Sequence, residues 1–243
     1  MSEGVHAIRT LSAIVISLLA VAVAGCSVAP DNEHSLPVQS EKKDGGDLEQ
    51  KLITAAAEGD TKAVLELLEA GAPIDATDPD GVTAVMAATQ RNEVDTVRKL
   101  IERGADIDIR NHRQDNVLLY AGAEGLLEIV QLALEAGADP ALTNRYGGTA
   151  LIPASERGHV AVVEELLTNS EIDVNHLNDL HWTALLEAVI LGNGGRDHQK
   201  IVQLLVDHGA DVDIADRDGI TPLEHAERHG YEEIAGILKK AGA

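Results

Sequence analysis

The feature that most limits what this chain can fold into is a spacing. Gly-Ala pairs stand at Gly71, Gly104 and Gly137, each 33 residues after the last, and again at Gly209 and Gly242, 33 residues apart. Between them the same marks return in the same order. An Asp or Asn opens a turn, a small polar residue follows at Thr83, Asn116, Thr149, Thr183 and Thr221, and two short apolar-periodic stretches come after it. A unit of this length cannot bury an apolar face by itself, so it must stack on its own copies. The sequence therefore predicts a linear array in place of a domain with one central core.

The last stretch, DRDGITPLEHAERHGYEEIAGILKKAGA, is the most regular copy, with its turn at Asp218 and Gly219 and the step Thr221, Pro222, Leu223. A 33-residue period with this T-P-L step resembles the ankyrin family. The resemblance covers residues 48–243. It implies an all-α ankyrin-repeat solenoid, helix-turn-helix repeats with β-hairpin turns, of about six repeats, most often a binding module.

Read in register, the first copy opens directly in helix and serves as a cap, and the next four begin at Asp78, Asn111, Asn144 and Asn178. The sixth begins at Asp216 and has the polar second helix that a terminal repeat needs. Three departures stand out. Gln114 replaces the turn glycine of the third copy, which predicts its hairpin to be the least regular. Pro153 falls inside the first helix of the fourth, where the first turn tolerates it. GNGGRDHQ is inserted in the fifth, where Gly192 to His198 is expected to protrude as a mobile loop between its helices.

Aromatic residues are 2% of the chain and Phe is absent, so the core must be built from Leu, Ile, Val and Ala. The balance of 19 basic against 41 acidic residues gives a formal charge of −22. Such a surface repels phosphate backbones, so no nucleic-acid partner is expected and a basic or neutral protein is favoured. A single Cys excludes an internal disulfide.

That Cys stands at an informative place. Residues 11–25, LSAIVISLLAVAVAG, form an apolar run too short to span a bilayer but sized for an export signal. It ends in Val23, Ala24, Gly25 and Cys26, which resembles a bacterial lipobox; the resemblance implies a lipoprotein signal peptide over residues 1–25, lipidation of Cys26 and attachment to a membrane. A cleaved, unlipidated export signal and a short anchor are the alternatives. Residues 26–47, Pro- and Gly-containing with mixed charge, read as a flexible tether. The expected location is the cell envelope, outside the cytoplasmic membrane.

In the ankyrin architecture the turns and first helices line one concave face. The residues on it expected to bind a partner are Arg91, Tyr120, Arg145, Tyr146, Arg157, His181 and Trp182, because Tyr, Trp and Arg dominate binding hot spots. His225 and His229, spaced i, i+4, suggest a metal pair but lack a third ligand, so no metal and no cofactor is assigned. No nucleophile or phosphate-loop constellation is present, and an enzyme is not expected. ALIPASERGHV with HWTALLEAVILGNGGRDHQKIVQLLVDHGADV is similar to exported bacterial ankyrin proteins, some linked with catalase or oxidative stress. The expected function is thus a monomeric, non-catalytic, lipid-tethered module that binds another envelope protein. The alternative is a metal- or small-ligand-associated envelope stress protein.

Overall fold

The computed structural model describes residues 44–243. The expected signal peptide, Cys26 and most of the tether lie outside the described residues. Within them twelve helices form six consecutive pairs. These are α1 (Asp44–Ala57) with α2 (Thr61–Glu69), α3 (Ala84–Gln90) with α4 (Val94–Glu102), α5 (Val117–Glu124) with α6 (Leu127–Glu135), α7 (Leu151–Glu156) with α8 (Val160–Asn169), α9 (Ala184–Ile190) with α10 (Arg196–Asp207), and α11 (Pro222–His229) with α12 (Glu232–Ala241). Helix α1 begins before the expected end of the tether at residue 47, so the first copy is longer than its sequence register suggested.

First helices pack on first helices, α1 on α3 and so on to α9 on α11, and second helices do the same in a parallel layer. The core lies between the two layers and is aliphatic throughout, with Leu52, Leu100, Ile129, Leu166, Leu185, Ile201 and Ile234 fully enclosed. Alanines at the helix contacts, such as Ala88, Ala121 and Ala154, let the first helices approach closely. At Gly122 a Cβ would stand 3.0 Å from that of Ala150, which fixes a small residue there.

Each of the five turns is held by one side chain. Oδ1 of Asp78, Asn111, Asn144, Asn178 and Asp216 accepts two backbone N–H groups, from the residues two and four positions later. Asp and Asn close turns in this way because the short side chain mimics a backbone carbonyl. The β-hairpin description needs correction: among the described residues there are no strands, only an isolated bridge between Thr77 and Thr83. The third hairpin is as regular as the others, contrary to expectation. Gln114 adopts the left-handed φ of 67° that the glycines take in this slot, and the bonding pattern around it is intact. His181 does the same in the fifth hairpin, at φ 68°.

Hydroxyl or amide caps start most first helices. The side chains of Thr83, Asn116, Thr183 and Thr221 each accept the N–H of the third residue onward. The exception is Thr149, and Pro153 is the reason. In the other copies the fourth residue donates its N–H to the cap carbonyl. Pro153 has none, so Ile152 N–H turns to Thr149 O at 3.2 Å, and the buried Thr149 hydroxyl is left without a partner. Thr183→Ala is therefore expected to cost about 1 kcal/mol. Thr149→Val, of similar shape, should cost less than about 0.5 kcal/mol or stabilise. Urea unfolding of the two variants beside the parent checks this difference.

Candidate functional site

The repeat geometry brings the turns and the first helices onto one face. Between α1, α3, α5 and the second and third hairpins this face holds a groove of ≈ 880 Å³. Ile53, Ala57, Val82 and Ala87 give it apolar lining, Arg91 and Arg113 line it as cations, and Tyr120 also faces into it. Arg91 caps the C-terminus of α3, and Arg157 occupies the same place after α7, two repeats on. The intervening copy carries Glu124 in the same register, as the last residue of α5. Arg157 Nη1 meets Glu124 Oε1 at 2.7 Å and Ala123 O at 2.8 Å, tying the fourth repeat to the third.

The expected residues thus fall into two groups. Arg91 and Tyr120 line the groove, and Arg157 stands close enough to act on Tyr120: burial first, then the charges of Glu124 and Asp115, push the Tyr120 phenol up, while Arg157 and Arg91 oppose the shift. Asp115 is likewise pushed up, chiefly by burial, against the pull of Arg145 and Arg113. Arg145, Tyr146, His181 and Trp182 belong to the next two hairpins. Tyr146 is 59% exposed at its tip, with the Arg145 guanidinium 4.7 Å above its ring. Leu180 is 52% exposed at the equivalent tip, and Asp179 N–H donates to Tyr146 O, so the two tips are joined. Trp182 is not a tip residue. It closes the hairpin, its N–H donating to Asn178 Oδ1 and its carbonyl accepting from Asn178 N–H, and its side chain is half-buried.

The insertion does not protrude as a mobile loop. Its second half lengthens α10, which starts at Arg196. His198 is buried, with Nε2 2.9 Å from Glu156 O and Nδ1 3.1 Å from Asn193 Oδ1, while Tyr231 donates its hydroxyl to Gly192 O. A Cβ on Gly192 would overlap Ala188 O and the His198 ring, so the segment is packed from both sides. His159, 3.2 Å from Ala123 O, makes the matching contact one repeat earlier. These side chains reach back to carbonyls at the end of the preceding first helix, which that helix cannot itself satisfy.

The two histidines of the last repeat go to different partners. His225 Nε2 lies 2.7 Å from Asp216 Oδ2, whereas His229 stacks on Tyr231. The Asp216 carboxyl is held below its usual range, first by the Ile220 N–H. Among the described residues no cluster of three or more His, Cys, Asp or Glu is placed to hold a metal ion. His208 Nδ1, 2.8 Å from Leu204 O, closes the end of α10.

One titratable site escaped the sequence reading. Glu187, the lone acid in the stretch ALLEAVI, is buried on α9, with Asn178 Nδ2 donating to its Oε1 at 2.8 Å. Burial, then the charge of Glu156, raises its pKa to about 7, against the Asn178 bond. Its position in the first helix matches Tyr120 and His225, the column that faces the hairpins.

The sequence pattern that defines the ankyrin repeats (three copies) matches residues 52–144, 118–216 and 173–243. The chain belongs to the ankyrin-repeat family, whose members are generally non-catalytic modules that bind proteins. An ankyrin repeat domain from Acinetobacter baumannii AYE is similar at 51% identity and a TM-score of 0.77, over 79% of this chain and 97% of that one. The ankyrin repeat protein EF0377 is similar at 41% identity and a TM-score of 0.76, over 79% and 98%. Among curated proteins, the ankyrin repeat protein YahD of Escherichia coli (strain K12) is 52% identical over 85 residues, 35% of this chain. The Notch-regulated ankyrin repeat-containing protein of Xenopus laevis is 40% identical over 72 residues, 30% of this chain. The matches span 42% and 59% of those two relatives. Among the described residues no helix is long and apolar enough to cross a membrane.

Two outcomes are expected. A folded carboxyl titrating above its unfolded value takes up protons on folding, so the Glu187 contribution is fully present below pH 4.5 and is lost as pH rises to about 7. Glu187→Gln keeps an acceptor for Asn178 and should remove this loss, leaving the variant more stable than the parent at pH 8 by about 1–3 kcal/mol and nearly equal at pH 4. Denaturant midpoints across that range measure it. His181→Gly, relieving a left-handed non-glycine residue, should raise stability by about 0.5–1 kcal/mol.

Proposed function

We propose that the protein is a lipid-tethered, non-catalytic binding module of the bacterial cell envelope, holding another envelope protein against its hairpins and first helices. The observation that carries the binding part is the joined pair of tips in the fourth and fifth hairpins. Tyr146 and Leu180 each leave more than half their surface in water, as among the large apolar side chains of the described residues only Leu191 otherwise does. The Arg145 guanidinium stands over the Tyr146 ring, so an exposed aromatic is presented with a cation beside it. Large, pre-positioned aromatic and arginine side chains are the kind that anchor interfaces. His181 adds to the same edge: a bulky residue holds a left-handed turn in the slot that three other hairpins fill with glycine. Strained residues of this sort concentrate at binding sites.

The tethering part rests on the sequence of residues 11–26, with Cys26 as the lipidated residue. A diacylated Cys gives stable membrane attachment where a single chain would not. The partner lies on the exported side of the cytoplasmic membrane, and the module is a monomer.

A photo-reactive amino acid in place of Tyr146 in the full-length protein, activated in intact cells, is expected to join it to one envelope protein. Leu180→Asp in the same chain should reduce that product at least about tenfold, the loss of a hot-spot contact. Cys26→Ser should move the protein from the membrane fraction to the soluble one or block its export. A product unaffected by Leu180→Asp would refute the tips as the anchor, and a Cys26→Ser protein that stays on the membrane would refute lipidation.

A further inference from the structure

We propose that Asn178 and Glu187 form a proton-operated latch, which holds the fifth hairpin on α9 while the Glu187 carboxyl is protonated and releases it as that carboxyl ionises, so that acidity sets the order of the Tyr146–Leu180 edge. The inference rests on the reading of that edge as a partner-binding surface, and it adds a regulation to it.

One side chain serves both turn and helix in the fifth repeat. Asn178 Oδ1 accepts the N–H groups of Leu180 and Trp182 at 2.9 and 3.0 Å, so its amide is oriented and Nδ2 is left to face α9. There Nδ2 donates to Glu187 Oε1 at 2.8 Å. At the matching helix position the second repeat carries Ala87 and the fourth Pro153, and neither can make such a bond.

The carboxyl has little else to hold it. Glu187 is 5% exposed, takes part in no ion pair among the described residues, and has Asn178 as its hydrogen-bond donor there. As a neutral acid it meets Asn178 with Oε1 and carries its proton on Oε2. As a carboxylate it is buried with one donor and faces the charge of Glu156 across the contact of α7 with α9, so surroundings and neighbour both favour the acid. The sign follows. A carboxyl raised from 4.5 to about 7 in the folded chain contributes fully below pH 4.5, and the contribution is lost as pH rises to about 7. The ionised group regains water when the hairpin that Asn178 closes lifts from the helix. That movement pulls on the bond from Asp179 N–H to Tyr146 O, 2.9 Å long, which joins the two tips.

Charged groups elsewhere on the elements packed against α9 are engaged or exposed. Arg157 of α7 is bound to Glu124, and buried His198 of α10 to Glu156 O and Asn193 Oδ1. On α11, Glu224 accepts the Thr221 N–H and His225 lies against Asp216, while Arg228 is exposed. Asp179 and His181 of the hairpin itself are also exposed, so His181 is the second group whose titration the test separates from that of Glu187.

The test measures amide hydrogen exchange by nuclear magnetic resonance on the full chain in detergent micelles, from about pH 5 to about pH 8, with each rate divided by its intrinsic value at that pH. Protection of the Asp179, Leu180 and Trp182 amides is expected to fall at least about tenfold between about pH 5 and pH 7 and to level off above, since opening releases one proton. The Asp80 and Val82 amides, bound in the same way in the second hairpin, should keep their protection. Glu187→Gln should remove the fall, Glu156→Gln should reduce it, and His181→Asn should leave it unchanged. Far-ultraviolet circular dichroism confirms that each variant folds, and Glu156→Gln decides the matter if Glu187→Gln does not. No fall in the parent, an equal fall in the second hairpin, or a fall unchanged by Glu187→Gln or Glu156→Gln would overturn the latch. Photo-crosslinking at Tyr146 in isolated envelopes judges the binding reading separately. More product at pH 5 than at pH 8, with the difference lost in Glu187→Gln, supports the regulation. Equal product at both would remove the regulation and leave the module standing, whereas no product at either, beside a pH-dependent exchange, would refute the binding surface and leave the latch.

Discussion

Everything on the binding face hangs from ten hydrogen bonds made by five side chains. Asp78, Asn111, Asn144, Asn178 and Asp216 each gather two backbone N–H groups, and each thereby closes a hairpin with nothing more than its first residue's carboxyl or amide oxygen. Once the turn is closed, the residue five positions after its start falls at the cap of the next first helix. The same closure places the third residue, Asp80, Arg113, Tyr146, Leu180 or Asp218, at the tip. Those side chains are exposed, yet none of them helps to form the turn. The array can therefore vary its surface freely while its backbone repeats, the division of labour expected where loops on a rigid scaffold carry binding.

Irregularity concentrates in the fourth and fifth repeats. Pro153 removes one donor and leaves one hydroxyl orphaned, and the GNGGRDHQ insertion is absorbed by a longer α10, with His198 and Tyr231 tying it to both neighbours. Glu187 is buried here with a single donor, and His181 holds a left-handed turn. Each of these features costs stability locally, and they adjoin the exposed pair Tyr146 and Leu180. Regular packing on both flanks supports the cost, since in a stacked array each unit is held by its neighbours.

Much of this was legible in the residues alone, for reasons that differ by feature. The period was readable because nearest-neighbour stacking imposes the same apolar pattern on every copy. Thr and Asn caps were readable because capping is local, a bond between residues three apart. Gln114 was misread: a missing glycine signalled a distorted turn, but the Asn111 bonds hold the backbone in place and the cost is paid as positive φ. His181 carried the same signal, visible when NDLH is laid against DPDG. Glu187 offered only its presence in an apolar helix. Its raised pKa comes first from burial and then from Glu156 in another repeat, neither of which a local pattern encodes.

The sequence by itself determined the architecture, the number of repeats, the turn closures and the candidate residues on the binding face, because each follows from interactions spanning a few positions or from one repeating interval. Only the tertiary structure decided which of those candidates are committed and which are free. Arg157 is spent on Glu124 while Arg91 makes no ion pair among the described residues, and Trp182 is drawn half inside while Tyr146 stays out. The inserted glycines became packed chain, and His225 was turned from His229 to Asp216. These outcomes are contacts between side chains about one repeat apart, or across a turn, whose geometry exists only once the helices have stacked.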